Sequence, residues 1–126
     1  MLFGKKKIGD LIIKYFNEKK ISYEKNSASI SFTVSYNDFS IYPYINVNEG
    51  NQSISILVNI RRINQKENVY EMINSFNIKS QYFKAILDLD VILLEYNTLV
   101  DSDILDDVLD SIIDSLSILK EDIRNL

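Results

Sequence analysis

Two groups of carboxylates in this sequence have a spacing that could do chemistry. Asp88-Leu89-Asp90 sets two acids one residue apart between the apolar runs YFKAIL (82–87) and VILLEY (91–96), a pair that could hold a divalent cation. Asp101, Asp103, Asp106, Asp107, Asp110 and Asp114 crowd a second stretch. There is no Cys and no His, which removes thiolate chemistry, Cys-based zinc sites, the commonest metal ligand and the usual general base. An enzyme built from this chain would have to work with carboxylates, Lys, Tyr or Ser, and its serines have no His with which to form a triad. EF-hand spacing is absent, and three scattered Gly cannot make a phosphate-cradling loop.

The elements that must carry these acids decide between chemistry and architecture. In 82–97 a three-residue loop would set Leu87 against Val91 and Phe83 against Glu95. A loop of two or four residues puts Lys84 and Glu95 on one face, and the two-residue version places them directly opposite, worth roughly 0.2–1 kcal/mol. The same choice collects Phe83, Ala85, Ile92, Leu94 and Tyr96 on the core side, whereas a one-residue slip would bring charge into the core. An even loop is therefore expected. Asp88 and Asp90 become solvated turn residues, with Leu89 at or near the tip.

Asp101-Ser102 supplies an N-cap for a long helix with Ile104, Leu105, Val108, Leu109, Ile112, Ile113, Leu116, Leu119 and Ile123. Asp103, Asp107, Asp110 and Asp114 then follow one stripe opposite the apolar face. One reading is a solvated face whose first acids suit the helix dipole. Like charges along a stripe cost a few tenths of a kcal/mol per pair, so the other reading is an acidic surface that meets a basic partner or imitates a nucleic acid.

Upstream, Ile8, Leu11, Ile12, Tyr15 and Phe16 mark an amphipathic helix over 8–19. A polar loop over 20–29 follows, with a short extended piece around Ile21–Tyr23. The period then changes to two in ISFTVSY (30–36), FSIYPYINV (39–47) and SISILVNIR (53–61). The turns Asn37-Asp38 and Asn48-Glu49-Gly50-Asn51 join these runs into an antiparallel meander. Pro43 lacks an N–H, so its position needs an unpaired side or a bulge. In the third strand Ser55, Leu57, Asn59 and Arg61 are expected on the outward face. Asn64 and Glu67 have capping-box spacing before a helix expected over 65–76. The order is α-β-β-β-α-β-β-α.

At 126 residues the chain is expected to form one domain, 1–126. No apolar run approaches the roughly 18 residues of a membrane span. The start MLFGKKKIGDLIIKYF is interrupted by Asp10 and Lys14 and lacks a small-residue cleavage site, so it is read as no signal peptide. Lys5-Lys6-Lys7 is read as a solvated terminus, and the protein is expected in the cytoplasm. Net charge is −4, a poor basis for direct binding to nucleic acid. The charge is uneven: Lys is concentrated in the first 25 residues, while the stretch from Asp88 onward is acidic, relieved only by Lys120 and Arg124. Heavy use of Ile and Asn points to an AT-rich genome, that of a low-GC bacterium or its phage.

The element order and the residues around the second helix resemble the YbjN family of bacterial sensory transduction regulators and the wider group with a type III secretion chaperone-like fold. The local likeness lies in Ile73-Asn74-Ser75-Phe76-Asn77, then Tyr82-Phe83-Lys84-Ala85, the acidic turn, and Leu93-Leu94-Glu95-Tyr96. This sequence has Ile78 and Lys79 where basic residues often follow the Asn, and its hairpin turn lacks Gly. The resemblance implies an α+β fold, a five-stranded antiparallel sheet with helices packed on one face. It further implies no catalytic centre, frequent dimerisation and a role in binding proteins; no cofactor or metal is expected, and the expected assembly is a homodimer.

The outward strand faces carry the last signal. The second to fifth strands present Tyr42, Tyr44, Leu57, Ile86 and Leu93 there, with Leu89 beside them at the hairpin tip. If the third strand neighbours the fifth, as the resembling fold implies, Leu57 and Leu93 are adjacent. Such a surface is read as a site for a protein partner or a second copy, unless a helix covers it. The expected function is thus a non-enzymatic protein-binding module, chaperone-like or regulatory. The competing expectation is a phage or mobile-element inhibitor that sets its acidic helix against a host nucleic-acid enzyme.

Overall fold

The computed structural model describes residues 7–64 and 67–126. Lys5 and Lys6, and residues 65–66 where the second helix was expected to start, lie outside them. The first described element is α1 (Ile8–Lys19), whose Ile8, Ile12, Tyr15 and Phe16 are buried at the spacing the sequence displays. Its start is held from a distance: the Glu49 carboxylate accepts the Ile8 N–H at 2.7 Å and the Gly9 N–H at 3.0 Å, satisfying donors that a helix leaves without partners. Its end is closed by Lys20 at φ 58°, with Lys20 N–H donating to Asn17 O and Ile21 N–H to Phe16 O. That is a Schellman closure made without glycine.

A six-stranded antiparallel sheet follows, together with a two-stranded one, where five strands were expected. The short extended piece is real and forms β1 (Tyr23–Lys25), paired with β2 (Ser29–Phe32). The runs at 30–36 and 39–47 are each broken. Beyond Thr33 the chain continues as β3 (Val34–Ser35), which pairs with β4 (Ser40–Ile41), and the sheet resumes at β5 (Tyr44–Asn48). The interruption falls at Tyr42-Pro43, where Pro43 cannot donate but its carbonyl accepts Phe32 N–H at 2.9 Å. Asn37-Asp38 is the two-residue turn expected, closed by Tyr36 N–H to Phe39 O at 2.8 Å.

β6 (Ser53–Arg62) pairs with β5 and, on its other side, with β8 (Val91–Leu99); β7 (Lys84–Asp88) pairs with β8, giving the order β1-β2-β5-β6-β8-β7. One irregularity interrupts the β6–β8 ladder. Asn59 pairs with Leu93 but Arg61 pairs with Ile92, so Ile60 is an extra residue. This bulge reverses the expected outward direction of Arg61, since a single inserted residue shifts the two-residue period. Arg61 lies on the helix side, donating from Nε to Leu126 O at 2.7 Å and from both terminal nitrogens to Glu67 at 3.0 and 2.5 Å.

The second helix, α2 (Tyr70–Lys79), starts later than expected. The reach of Glu67 back to Asn64 N–H at 3.4 Å is made, but the Glu67 carboxylate also engages Arg61, and Asn68 Oδ1 accepts Tyr70 N–H at 3.2 Å. The C-terminal helix divides into α3 (Leu105–Ile118) and α4 (Lys120–Arg124). Asp101 caps the approach as expected, accepting N–H bonds from Asp103 and Ile104.

Buried residues of all four helices join the inward strand residues in one core cluster that includes Phe16, Phe32, Ile56, Phe83, Leu94 and Leu109. The helices therefore pack on one face of the sheet. The β3–β4 tip is tied to them: Tyr36 Oη donates to Leu116 O at 2.7 Å, Asp38 pairs with Lys120 and Arg124, and the Arg124 guanidinium lies 5.1 Å from the Phe39 ring centre. No described helix is long and apolar enough to cross a membrane.

Candidate interaction surface

The hairpin that carries Asp88 and Asp90 has the two-residue loop Leu89-Asp90, with Asp88 opposite Val91 and Lys84 opposite Glu95. Leu89 sits in the left-handed region at φ 56° and is 91% exposed. The Asp90 carboxylate accepts from Arg62 at 2.8 Å and its carbonyl accepts Ile63 N–H at 2.7 Å, tying the hairpin to β6. Among the described residues no group of three or more carboxylates could hold a metal.

The Lys84 ammonium reaches past Glu95. It donates to the Asn77 and Ser80 carbonyls at 3.0 and 2.8 Å, satisfying the end of α2, while Glu95 accepts from Asn97 at 2.7 Å. Beside it lies a residue whose task the sequence did not reveal. β7 is the border strand of the sheet, and the Asn77 carboxamide bonds the backbone of Ala85 in both directions. Asn77 belongs to the segment that carries the family resemblance, and its amide substitutes for a neighbouring strand.

The sheet face opposite the helices brings together most of the apolar residues picked out from strand parity. Tyr44 pairs with Leu57, Leu57 is diagonal to Leu93 through the Leu57–Glu95 and Asn59–Leu93 pairs, and Leu93 pairs with Ile86. The four residues thus cross four adjacent strands, β5, β6, β8 and β7. Leu93 is 7% exposed, walled in by its neighbours although it is not part of the helix-side core, while Ile86 is 39% exposed. Tyr44 and Leu57 are half-buried. Tyr42 is exposed at the break before β5 and borders this face, near Ser31 and Thr33 on one side and Asn59 and Ile60 on the other. Leu89 projects at the far end of the hairpin.

The acidic residues lie elsewhere. Asp103, Asp107, Asp110 and Asp114 are all exposed, with Asp103 just before α3 and the other three on it. Asp110 is engaged: it accepts from Tyr15 Oη at 2.6 Å, with Lys19 at 4.0 Å. Burial, and then the bond to Asp110, hold the Tyr15 hydroxyl above its usual range.

No protein-family model and no curated protein matches the sequence. Solved structures do match. YbjN from E. coli superposes with a TM-score of 0.67 at 11% identity, over 90% of this chain and 87% of that one. The Yersinia pestis type III secretion chaperone SycH, solved in complex with a stable fragment of YscM2, aligns with a TM-score of 0.49 at 15% identity, over 87% of this chain and 97% of that one. The element order, the antiparallel sheet backed by helices and the superposition on YbjN agree: this chain has the YbjN-like fold.

Proposed function

We propose that the protein is a non-enzymatic binding module, chaperone-like or regulatory, that works in the cytoplasm and docks a protein on the outer face of its sheet. Self-association into a homodimer is the first form of that docking. The observation that carries this reading is the run Tyr44–Leu57–Leu93–Ile86 across four strands, on the side of the sheet away from all four described helices. An apolar run of this kind, with Glu95 and Asn59 beside its Leu57–Leu93 diagonal and Lys84 and Asp88 on the β7 border, has the mix of apolar and polar groups of a contact surface. Tyr42 and Leu89 extend it at two ends. The alternative, an acidic helix that imitates nucleic acid toward a host enzyme, has less support, because Asp110 in the middle of the stripe is engaged by Tyr15 and Lys19.

Leu57→Asp and Ile86→Asp test the reading, since Leu93 is too buried to charge without disturbing the sheet. Sedimentation should show a wild-type dimer at tens of micromolar and monomeric variants with unchanged circular dichroism. A wild type that is monomeric throughout and recovers nothing in pull-downs would sink it.

A further inference from the structure

A second surface, distinct from the sheet face, lies along α3. Two adjoining depressions of about 300 and 290 Å³ share Tyr82 and Ser111 and together run beside α3 from Ile104 to Ile118. At 1.5 Å per residue that run is about 21 Å long, the length of a short helix. Its apolar lining includes Ile118, which is 81% exposed, Ile104 at 44% and Tyr82 at 40%, with Val108 and Tyr96 half-buried between them. Asp107 lines one depression and Asp114 the other, and neither takes part in an ion pair among the described residues. Seven residues apart, the two carboxylates stand two turns apart on the same crest of the helix.

We infer that this groove receives an amphipathic, basic peptide segment of a protein partner. Apolar side chains of the segment enter between Tyr82 and α3, and Lys or Arg residues spaced by two turns meet Asp107 and Asp114. Charge complementarity selects the occupant: the rim is acidic along α3, and among the described residues the one cation lining the groove, Lys79, is paired with Asp122 at 3.5 Å. An acidic or nucleic-acid ligand would meet repulsion there, and an uncharged apolar one would leave the two carboxylates unanswered.

The test is fluorescence anisotropy of the full chain with a labelled Leu/Lys peptide of about 14 residues, patterned as an amphipathic helix. A scrambled peptide of the same composition is the control. Saturable binding of the patterned peptide is expected, weakened roughly three- to tenfold by the pair Asp107→Asn and Asp114→Asn, weakened by Ile118→Ser, and unaffected by Glu24→Gln on the opposite border of the sheet. Equal binding of the scrambled peptide, indifference to the α3 substitutions, or no saturable binding would each overturn the inference. Leu57→Asp should leave this affinity unchanged, so failure here and failure of the sheet-face reading are separate results.

Discussion

The side-chain amide of Asn77 and the backbone of Ala85 exchange two hydrogen bonds, Nδ2 donating to the carbonyl at 3.0 Å and the Ala85 N–H donating to Oδ1 at 2.7 Å. Both groups of Ala85 point away from β8, where the sheet has no further strand. A single carboxamide, with one donor and one acceptor in a plane, matches that pair as a peptide group would.

Asn77→Ala should therefore cost about 1–3 kcal/mol, the penalty for stranding part-buried backbone groups. Asn77→Asp keeps the acceptor for Ala85 N–H but sets a second carboxylate oxygen against the Ala85 carbonyl, so it should be no more stable than Ala. Urea midpoints rank the three proteins; an Asp variant as stable as wild type would show that the amide does not act through these bonds.

Leu89 gives a prediction of opposite sign. A left-handed conformation costs an L-residue about 1–2 kcal/mol, and glycine adopts it freely at an entropic cost of about 0.4–1 kcal/mol. Leu89→Gly should thus stabilise the fold by about 0.5 kcal/mol, read as a higher urea midpoint. If the tip contributes to the contact surface, the same variant should bind its partner less well while being more stable.

The alkaline limb of stability depends on two part-buried hydroxyls. Burial pushes Tyr36 up to about 12, and Tyr15, bonded to Asp110, is raised further. In the unfolded chain both ionise near 10. Their contribution is complete below pH of about 10 and is lost as pH rises toward the folded values, because the unfolded chain ionises first. Tyr36→Phe should cost about 1 kcal/mol at neutral pH through the lost bond to Leu116 O and should flatten the decline above pH of about 10. Urea unfolding across that range decides it, since parallel profiles for the two proteins would contradict the assignment.

Much of the architecture was legible because period and charge act locally. Lys84 stands opposite Glu95 as the charge pattern suggests, although its ammonium bonds the end of α2 instead, and that register places Ala85, Ile92 and Leu94 in the core. Parity alone placed Tyr44, Leu57, Ile86 and Leu93 on one face. What stayed hidden lacks a local mark. The bulge at Ile60 lies inside an unbroken alternation, so the alternation points Arg61 outward while the chain turns it to the helix side. Lys20 closes α1 without glycine. The Glu49 cap acts across 41 positions to Ile8 and 40 to Gly9. The α3 groove exists only where Tyr82, from the link between α2 and β7, meets Ile104 and Ile118, three residues that no single period connects.

The Asn77–Ala85 closure also bears on how copies of this chain could assemble. A sheet whose two borders are both open can add strands without end, as filaments do. Here the β7 border is stopped at Ala85 by a side chain of the same molecule, which leaves β1 as the border from which a sheet could be extended. Extension from one side only is finite, because two such borders that meet use each other up. Contact along the strands would end in pairs.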